Sequence, residues 1–374
     1  MAPPLDIKLP ADLLPEDGRF GAGPSKVRLE DVARLANRKN YLGTSHRQEP
    51  VRSVVRRIRE GLSELYALPN GYEVVLGLGG ATAFWDAAAF SLIEHKSRHA
   101  VFGEFSGKFA SVVGEATHLE PPDQVSAIPG SHPTVTASEH IDAYALTHNE
   151  TSTGVTMPVL RPEGSSGVVL VDGTSAAGAI SVDPAQFDAY YFSPQKAFGS
   201  EGGLWLAIMS PAAIERTELI AASPRWVPRF LDLANAVSNS RQDQTYNTPA
   251  LTTLALLCDQ IDWVTSLGGL PAAAARSAAT SELVYEWAES SDFASPFVEN
   301  REQRSPTVAT IDLDSTVAAG DVAGALRTNG IVDIEGYRKL GRNQLRIATF
   351  PAIEIADADR LTRAIDFVAA ILTG

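Results

Sequence analysis

Tyr191-Phe192-Ser193-Pro194-Gln195-Lys196-Ala197-Phe198-Gly199-Ser200-Glu201-Gly202-Gly203 joins two apolar runs, AYYFS at 189–193 and GLWLAIM at 203–209. Each run reads as a buried strand, and the segment between them as a glycine-rich turn carrying one lysine. Lysine seldom sits at the end of a sheet packed on both faces unless it is paired or covalently engaged. Taken alone, Lys196 is more often a solvated loop residue. Its neighbours change the balance.

Working outward, further short apolar runs end in small or polar residues and lead into helix-like segments. They are EVVLGL at 73–78 before Gly79-Gly80, HAVF at 99–102 before Gly103, AYALT at 143–147 before His148, and GVVLV at 167–171 before Asp172. Strands alternating with helices predict an α/β unit with a largely parallel sheet, whose ligands gather at the carboxyl ends of the strands. From about Leu270 the texture changes. An alanine-rich helix precedes strand-like runs at 307–311, 331–334 and 344–348, and a closing helix spans roughly 355–372, which reads as a smaller α+β unit. The expected division is an N-terminal arm over 1–20, a large domain over 21–268 and a small domain over 269–374.

The chain has 374 residues, 44% hydrophobic and 20% charged, with a formal net charge of −14 and one cysteine. That is enough chain for two domains. No basic run marks a nucleic-acid footprint, so any phosphate must be held in a local pocket. No apolar stretch reaches the roughly 18 to 20 residues that span a bilayer, and MAPPLDIKLPADLLPEDGRF at 1–20 lacks the basic start and apolar core expected of an export signal. A soluble, cytoplasmic protein is expected. Cys258, within ALTTLALLCDQIDWV, reads as a small core residue of a buried helix.

Three features near the strand ends point to one chemistry. Asp172 ends a strand, where its carboxylate can pair with the ring nitrogen of pyridoxal phosphate and keep that ring an electron sink; a turn or capping aspartate is the plain alternative. Gly79-Gly80-Ala81-Thr82 follows a strand and opens a helix, so free backbone N–H groups and the helix dipole would cradle a phosphate. Phe105 could stack on a pyridine face.

On these residues the sequence resembles the phosphoserine aminotransferases, a family of class V within the fold-type I pyridoxal-phosphate enzymes. The matching pieces run in order along the chain: FGAGPSKV at 20–27, GTSHR at 43–47, GLGGAT at 77–82, GEFSGKFA at 103–110 and HNETSTGV at 148–155. VDGTSA at 171–176, SPQKAFGSEGG at 193–203, YNTPA at 246–250 and YRKLGRNQLRIATF at 337–350 continue them. The resemblance implies a large domain with a mostly parallel, seven-stranded type of sheet flanked by helices, plus the small α+β domain. It makes Lys196 the Schiff-base lysine, Asp172 the partner of the ring nitrogen and Phe105 the stacking ring. It further implies that Thr151 bonds the cofactor and that Ala81, Thr82 and Gln195 serve its phosphate. Asn247 and Thr248 resemble the pair that serves the phosphate site of the neighbouring subunit, so a homodimer with shared sites is implied.

The implied substrates, L-glutamate, 3-phosphohydroxypyruvate and O-phospho-L-serine, carry an α-carboxylate and a second anionic end. Planar guanidinium groups suit both. By resemblance His46, Arg47 and Arg338 read the distal anion and Arg346 the α-carboxylate. The chain departs from the commoner bacterial pattern in having Phe105 for a tryptophan, Ala81-Thr82 where an arginine follows the glycines, and Tyr337 for a histidine. A longer spacing before Arg346 brings in Arg342, which is expected to replace the missing cation. The related oxo acid of vitamin B6 synthesis is a further substrate that the resemblance leaves open. An alanine-glyoxylate or serine-pyruvate aminotransferase would need no second anion site, and a cysteine desulfurase would need a cysteine on a mobile loop.

Overall fold

The structure, a computed structural model, describes residues 7–374. The first six residues of the expected arm lie outside the described residues. In chain order the strands are β1 Glu73–Leu78, β2 Ser97–Val101, β3 Asp123–Ser126, β4 Ala143–Thr147, β5 Asn149–Glu150, β6 Val155–Thr156, β7 Val168–Asp172, β8 Ala189–Phe192 and β9 Leu204–Met209. Seven of them form one sheet in the order β1-β9-β8-β7-β4-β2-β3, with β5 and β6 as a separate hairpin. Only β9 runs against its neighbours, β1 and β8; the other pairings are parallel. The sequence-based expectation of a mostly parallel sheet flanked by helices holds.

Burial on both faces explains why these strands read as unbroken apolar runs. Within β7, Val169 and Val171 enter one core cluster with Leu146, Tyr190 and Leu206. Val168 and Leu170 enter the cluster on the other face, with Ala145, Tyr191 and Trp205. The alternation is the strand's two-residue period. Helices cover both faces, and their ends follow local chemistry. Ser210 accepts from Ala213 N ahead of Pro211 to open helix Pro211–Ala221, and Gly268, at φ 110°, ends helix Leu251–Leu267.

A second, antiparallel sheet of β10 Ala294–Pro296, β11 Val308–Leu313 and β12 Gln344–Ala348 packs against helices Leu270–Ser290 and Ile355–Thr373. The run 331–334 does not become a strand. Asp333 sits at φ 66°, which breaks the extended backbone and leaves only a bridge from Val332 to Arg19. Leu9, Leu13 and Phe20 bury in this same cluster beside Ile347 and Leu361.

The segment after Phe20 ties the two parts together at the carboxyl edge of the large sheet. Phe20 O accepts from Ala348 N at 3.0 Å, and Ser25 N donates to Gln195 O at 2.9 Å. The backbone of FGAGPS is therefore a strap laid beside Lys196.

Candidate active site

A cavity of about 460 Å³ opens at the carboxyl ends of β1, β4, β7 and β8. Lys196 and Asp172 both line it and are 7% and 6% exposed. Ala81, Thr82, Phe105, Thr151 and Gln195 line it too, so the structure brings together every expected cofactor residue except Asn247 and Thr248.

Lys196 Nζ donates to Ala22 O at 2.5 Å and lies 3.4 Å from Thr151 Oγ1. Its ammonium stands 5.8 Å from the centre of the Phe105 ring. Burial, reinforced by the charge of Arg346, pulls the Lys196 pKa down to about 7, against the opposing pull of Asp172 and Glu150. A lysine so tuned is a competent proton acceptor and donor near neutrality. Gly23 makes room for it. A Cβ there would lie 2.5 Å from Nζ, on a backbone at φ 148°.

Asp172 is the last residue of β7, where the sheet edge aims its carboxylate into the cavity. Trp85 Nε1 donates to Oδ2 at 3.3 Å and Thr174 N to Oδ1 at 2.9 Å. Burial raises the pKa of the carboxyl, and those donors hold it back. A cationic ring partner would complete that balance.

The helix Gly80–Ser91 begins without any side-chain cap, and Gly79 and Gly80 take left-handed φ values of 101° and 73°. Its first N–H groups thus face the cavity uncapped, an anion seat of the kind the glycines suggested. Asn149 Oδ1 is buried on the cavity wall without a hydrogen-bond partner. An orphaned buried acceptor, a buried acid, a buried amine and an uncapped helix start together fit a compact aromatic aldehyde bearing a phosphate.

A second cavity, about 800 Å³, adjoins the first across Gly23 and Pro24 and is lined by Tyr337, Arg338, Lys339 and Arg346. Arg346 is anchored by Nη1 to Thr151 O at 3.4 Å and packs 5.4 Å from the Tyr337 ring centre, while its buried Nε has no partner. Neither it nor Arg338 meets a carboxylate among the described residues. Both are positioned as receptors for an external anion.

The remaining expected residues lie elsewhere. His46 is buried, with Nδ1 3.2 Å from Thr248 Oγ1 and Nε2 unpartnered. Burial, and then the charge of Arg47, lower its pKa. Arg47, Asn247 and Thr248 are exposed. This cluster lines neither cavity of its own chain. Arg342 is drawn away as well: its Nε reaches both Asp312 oxygens at 3.1 Å and its guanidinium packs 4.6 Å from the Phe297 ring centre. Cys258 is buried in its helix, and burial pushes its thiol up to about 11.

Sequence reasoning missed Trp85, Asn149, Thr174 and the strap residues Ala22 and Gly23. Trp85 was findable, because it stands four positions after Ala81 and so shares the helix face turned to the cavity. Ala22 was not, since its contribution is a backbone carbonyl.

Residues 127–338 match the family model for aminotransferase class-V. The chain is 55% identical to the phosphoserine aminotransferase of Rhodococcus jostii over 96% of its length and 97% of that protein. It is likewise 55% identical to that of Corynebacterium glutamicum, over 96% of each. Its fold superposes on the crystal structure of a phosphoserine aminotransferase from Cytophaga hutchinsonii with a TM-score of 0.87 at 26% identity, covering 94% of this chain and 99% of that one. Among the described residues, no helix is long and apolar enough to cross a membrane. With the cavity built around Lys196 and Asp172, these likenesses show that the chain belongs to the phosphoserine aminotransferase family of the class-V aminotransferases.

Proposed function

We propose that this protein transfers the amino group of L-glutamate to 3-phosphohydroxypyruvate, releasing O-phospho-L-serine and 2-oxoglutarate, with pyridoxal 5'-phosphate held in the cavity of Lys196 and Asp172. The observation that carries the reading is the pairing of that cavity with a second one whose arginines, Arg338 and Arg346, meet no carboxylate among the described residues.

Lys196 would hold the cofactor's aldehyde carbon, Asp172 its ring nitrogen, Phe105 one ring face, and the N–H groups of Ala81 and Thr82 with Gln195 its phosphate. Bound there, pyridoxal phosphate supplies an exchangeable carbonyl carbon and a ring that withdraws electron density from the substrate Cα. Arg346 fixes the α-carboxylate and thereby presents the Cα–H to Lys196. The Lys196 amine, set free when the substrate's amino group takes its place and tuned to about 7 in the free form, would take that proton and return it. Burial raises the Asp172 carboxyl, and a protonated ring nitrogen held beside it would stabilise its anion.

The exposed group of Arg47, Asn247 and Thr248, with His46 behind it, serves the site of a second copy of the chain. Two observations support this: the group lines neither of the two cavities described above, and His46 Nε2 is buried without a hydrogen-bond partner among the described residues. A homodimer follows from this reading, and a cytoplasmic location is proposed with it. Steady-state assays with glutamate as donor and 3-phosphohydroxypyruvate, glyoxylate or pyruvate as acceptor test it. A preference of orders of magnitude for 3-phosphohydroxypyruvate is expected, and equal use of glyoxylate would favour an alanine-glyoxylate aminotransferase instead.

A further inference from the structure

The distal anion of a phosphorylated substrate carries close to two negative charges. Arg338, at the second cavity, meets no carboxylate among the described residues, and Arg342 is committed to Asp312 and Phe297. Of the two other cations lining that cavity, Arg346 is given to the α-carboxylate, which leaves Lys339. Lys339 stands on the turn Arg338–Leu340, which ends at Gly341 with φ 64°, and its Nζ donates to Glu104 Oε1.

Glu104 opens the helix that carries Phe105, and its carboxylate also takes Lys108 Nζ at 3.2 Å. The Lys339 side chain is 66% exposed, so its bond to Glu104 is a weak, exchangeable one. If Lys339 leaves, Lys108 still neutralises Glu104. The exchange therefore strands no charge. A lysine suits it better than an arginine, since a compact ammonium on a flexible stem can swing between two oxygen anions.

We propose that Lys339 is a specificity-determining cation that Glu104 holds until substrate arrives and that then passes to the substrate's distal anion. This rests on the proposed function, because it needs a substrate with a second anionic end. Lys339 thus replaces Arg342 as the cation that compensates for Tyr337. Glu104 acts as the placeholder anion, and competes with the substrate for the ammonium.

The alternative is a latch, in which the Lys339–Glu104 bond merely pins the turn to the helix. Breaking the bond from either side would then have the same effect. The competing-anion arrangement demands opposite effects, and that separates the two. The measurement is kcat/KM of the holoenzyme for O-phospho-L-serine and for L-alanine in wild type, Lys339→Ala and Glu104→Gln, together with the inhibition constant of inorganic phosphate. Lys339→Ala should lower the phosphoserine-to-alanine ratio about tenfold and weaken phosphate inhibition. Glu104→Gln should raise that ratio and strengthen phosphate inhibition. A ratio that moves the same way in both variants, or not at all in Lys339→Ala, overturns the proposal while wild-type preference for phosphoserine leaves the proposed function standing. A wild type with no such preference overturns both.

Discussion

Trp85 donates its indole N–H to Asp172 Oδ2 at 3.3 Å, so a helix on one face of the sheet steers a carboxylate that belongs to the sheet's edge. The same indole stacks on Phe109 with 16° between the ring planes, which fixes its direction. Asp172 is thereby aimed from outside its own strand.

Trp85→Phe keeps the stacking and deletes the donor. One hydrogen bond to a charged group is worth about 2 kcal/mol, so kcat should fall roughly thirtyfold with cofactor still bound. Asp172→Asn should cost more, because a neutral amide cannot stabilise the protonated ring nitrogen at all. Absorbance of the bound cofactor against turnover checks both. Full activity in Trp85→Phe would reduce the contact to packing.

Gly23→Ala tests the strap. The added Cβ would stand 2.5 Å from Lys196 Nζ at a φ of 148°, so the lysine must leave its bond to Ala22 O. Activity should drop at least tenfold while the melting temperature falls only a few degrees. Borohydride reduction and peptide mapping should show incomplete labelling of Lys196. Complete labelling with normal turnover would show that the strap yields freely.

The cofactor-free protein should carry a pH signature of Lys196. Its pKa is about 7 when folded and near 10.5 when unfolded, so between those values the unfolded chain binds more protons and stability rises with pH. The penalty is full below about pH 7 and gone above 10.5, changing by about 1.4 kcal/mol per unit between. Lys196→Met should thus be more stable than wild type at pH 7, with the gap closing towards pH 10. Chemical denaturation of both proteins across that range reads it out, and a constant gap would place the lysine in solvent.

Much of this was legible because the buried strands announce themselves as apolar runs and because Asp172 and Lys196 stand where such runs end. What was hidden has physical reasons. Ala22 works through its carbonyl, which carries no side-chain signature. Arg342 looked free because Asp312 lies thirty positions away, on the neighbouring strand β11. The extended run 331–334 failed at Asp333, whose left-handed backbone no apolar pattern reveals.

If Asn247 and Thr248 complete a neighbour's site, subunits bearing Asn247→Ala mixed with subunits bearing Lys196→Ala should regain activity. In that heterodimer one site gathers both defects and the other gathers neither. About a quarter of wild-type turnover is expected at equal mixing, since half the dimers carry one intact site. Freely exchanging subunits that stay inactive would confine each site to one chain.

Arg346 and Arg342 make the sharpest contrast, because they are close in sequence and the structure sends them to different places. Arg346 is half-buried near Lys196, anchored to Thr151 O, and meets no carboxylate among the described residues. Arg346→Ala should lower kcat/KM for every amino-acid substrate, alanine included, by about 3 kcal/mol or two orders of magnitude. It should act on the lysine too. The Arg346 charge helps depress the Lys196 pKa, so its removal lets that pKa rise. Since the lysine must be neutral to take a proton, the acid limb of the rate profile should move to higher pH. Arg342→Ala loses an exposed pair with Asp312, worth about 1 kcal/mol or less of stability, and should shift neither the substrate preference nor the acid limb. Rate profiles for alanine and phosphoserine in the two variants decide the matter. If Arg342→Ala selectively damages phosphoserine, the guanidinium leaves Asp312 in the working enzyme, and the distal site includes it after all.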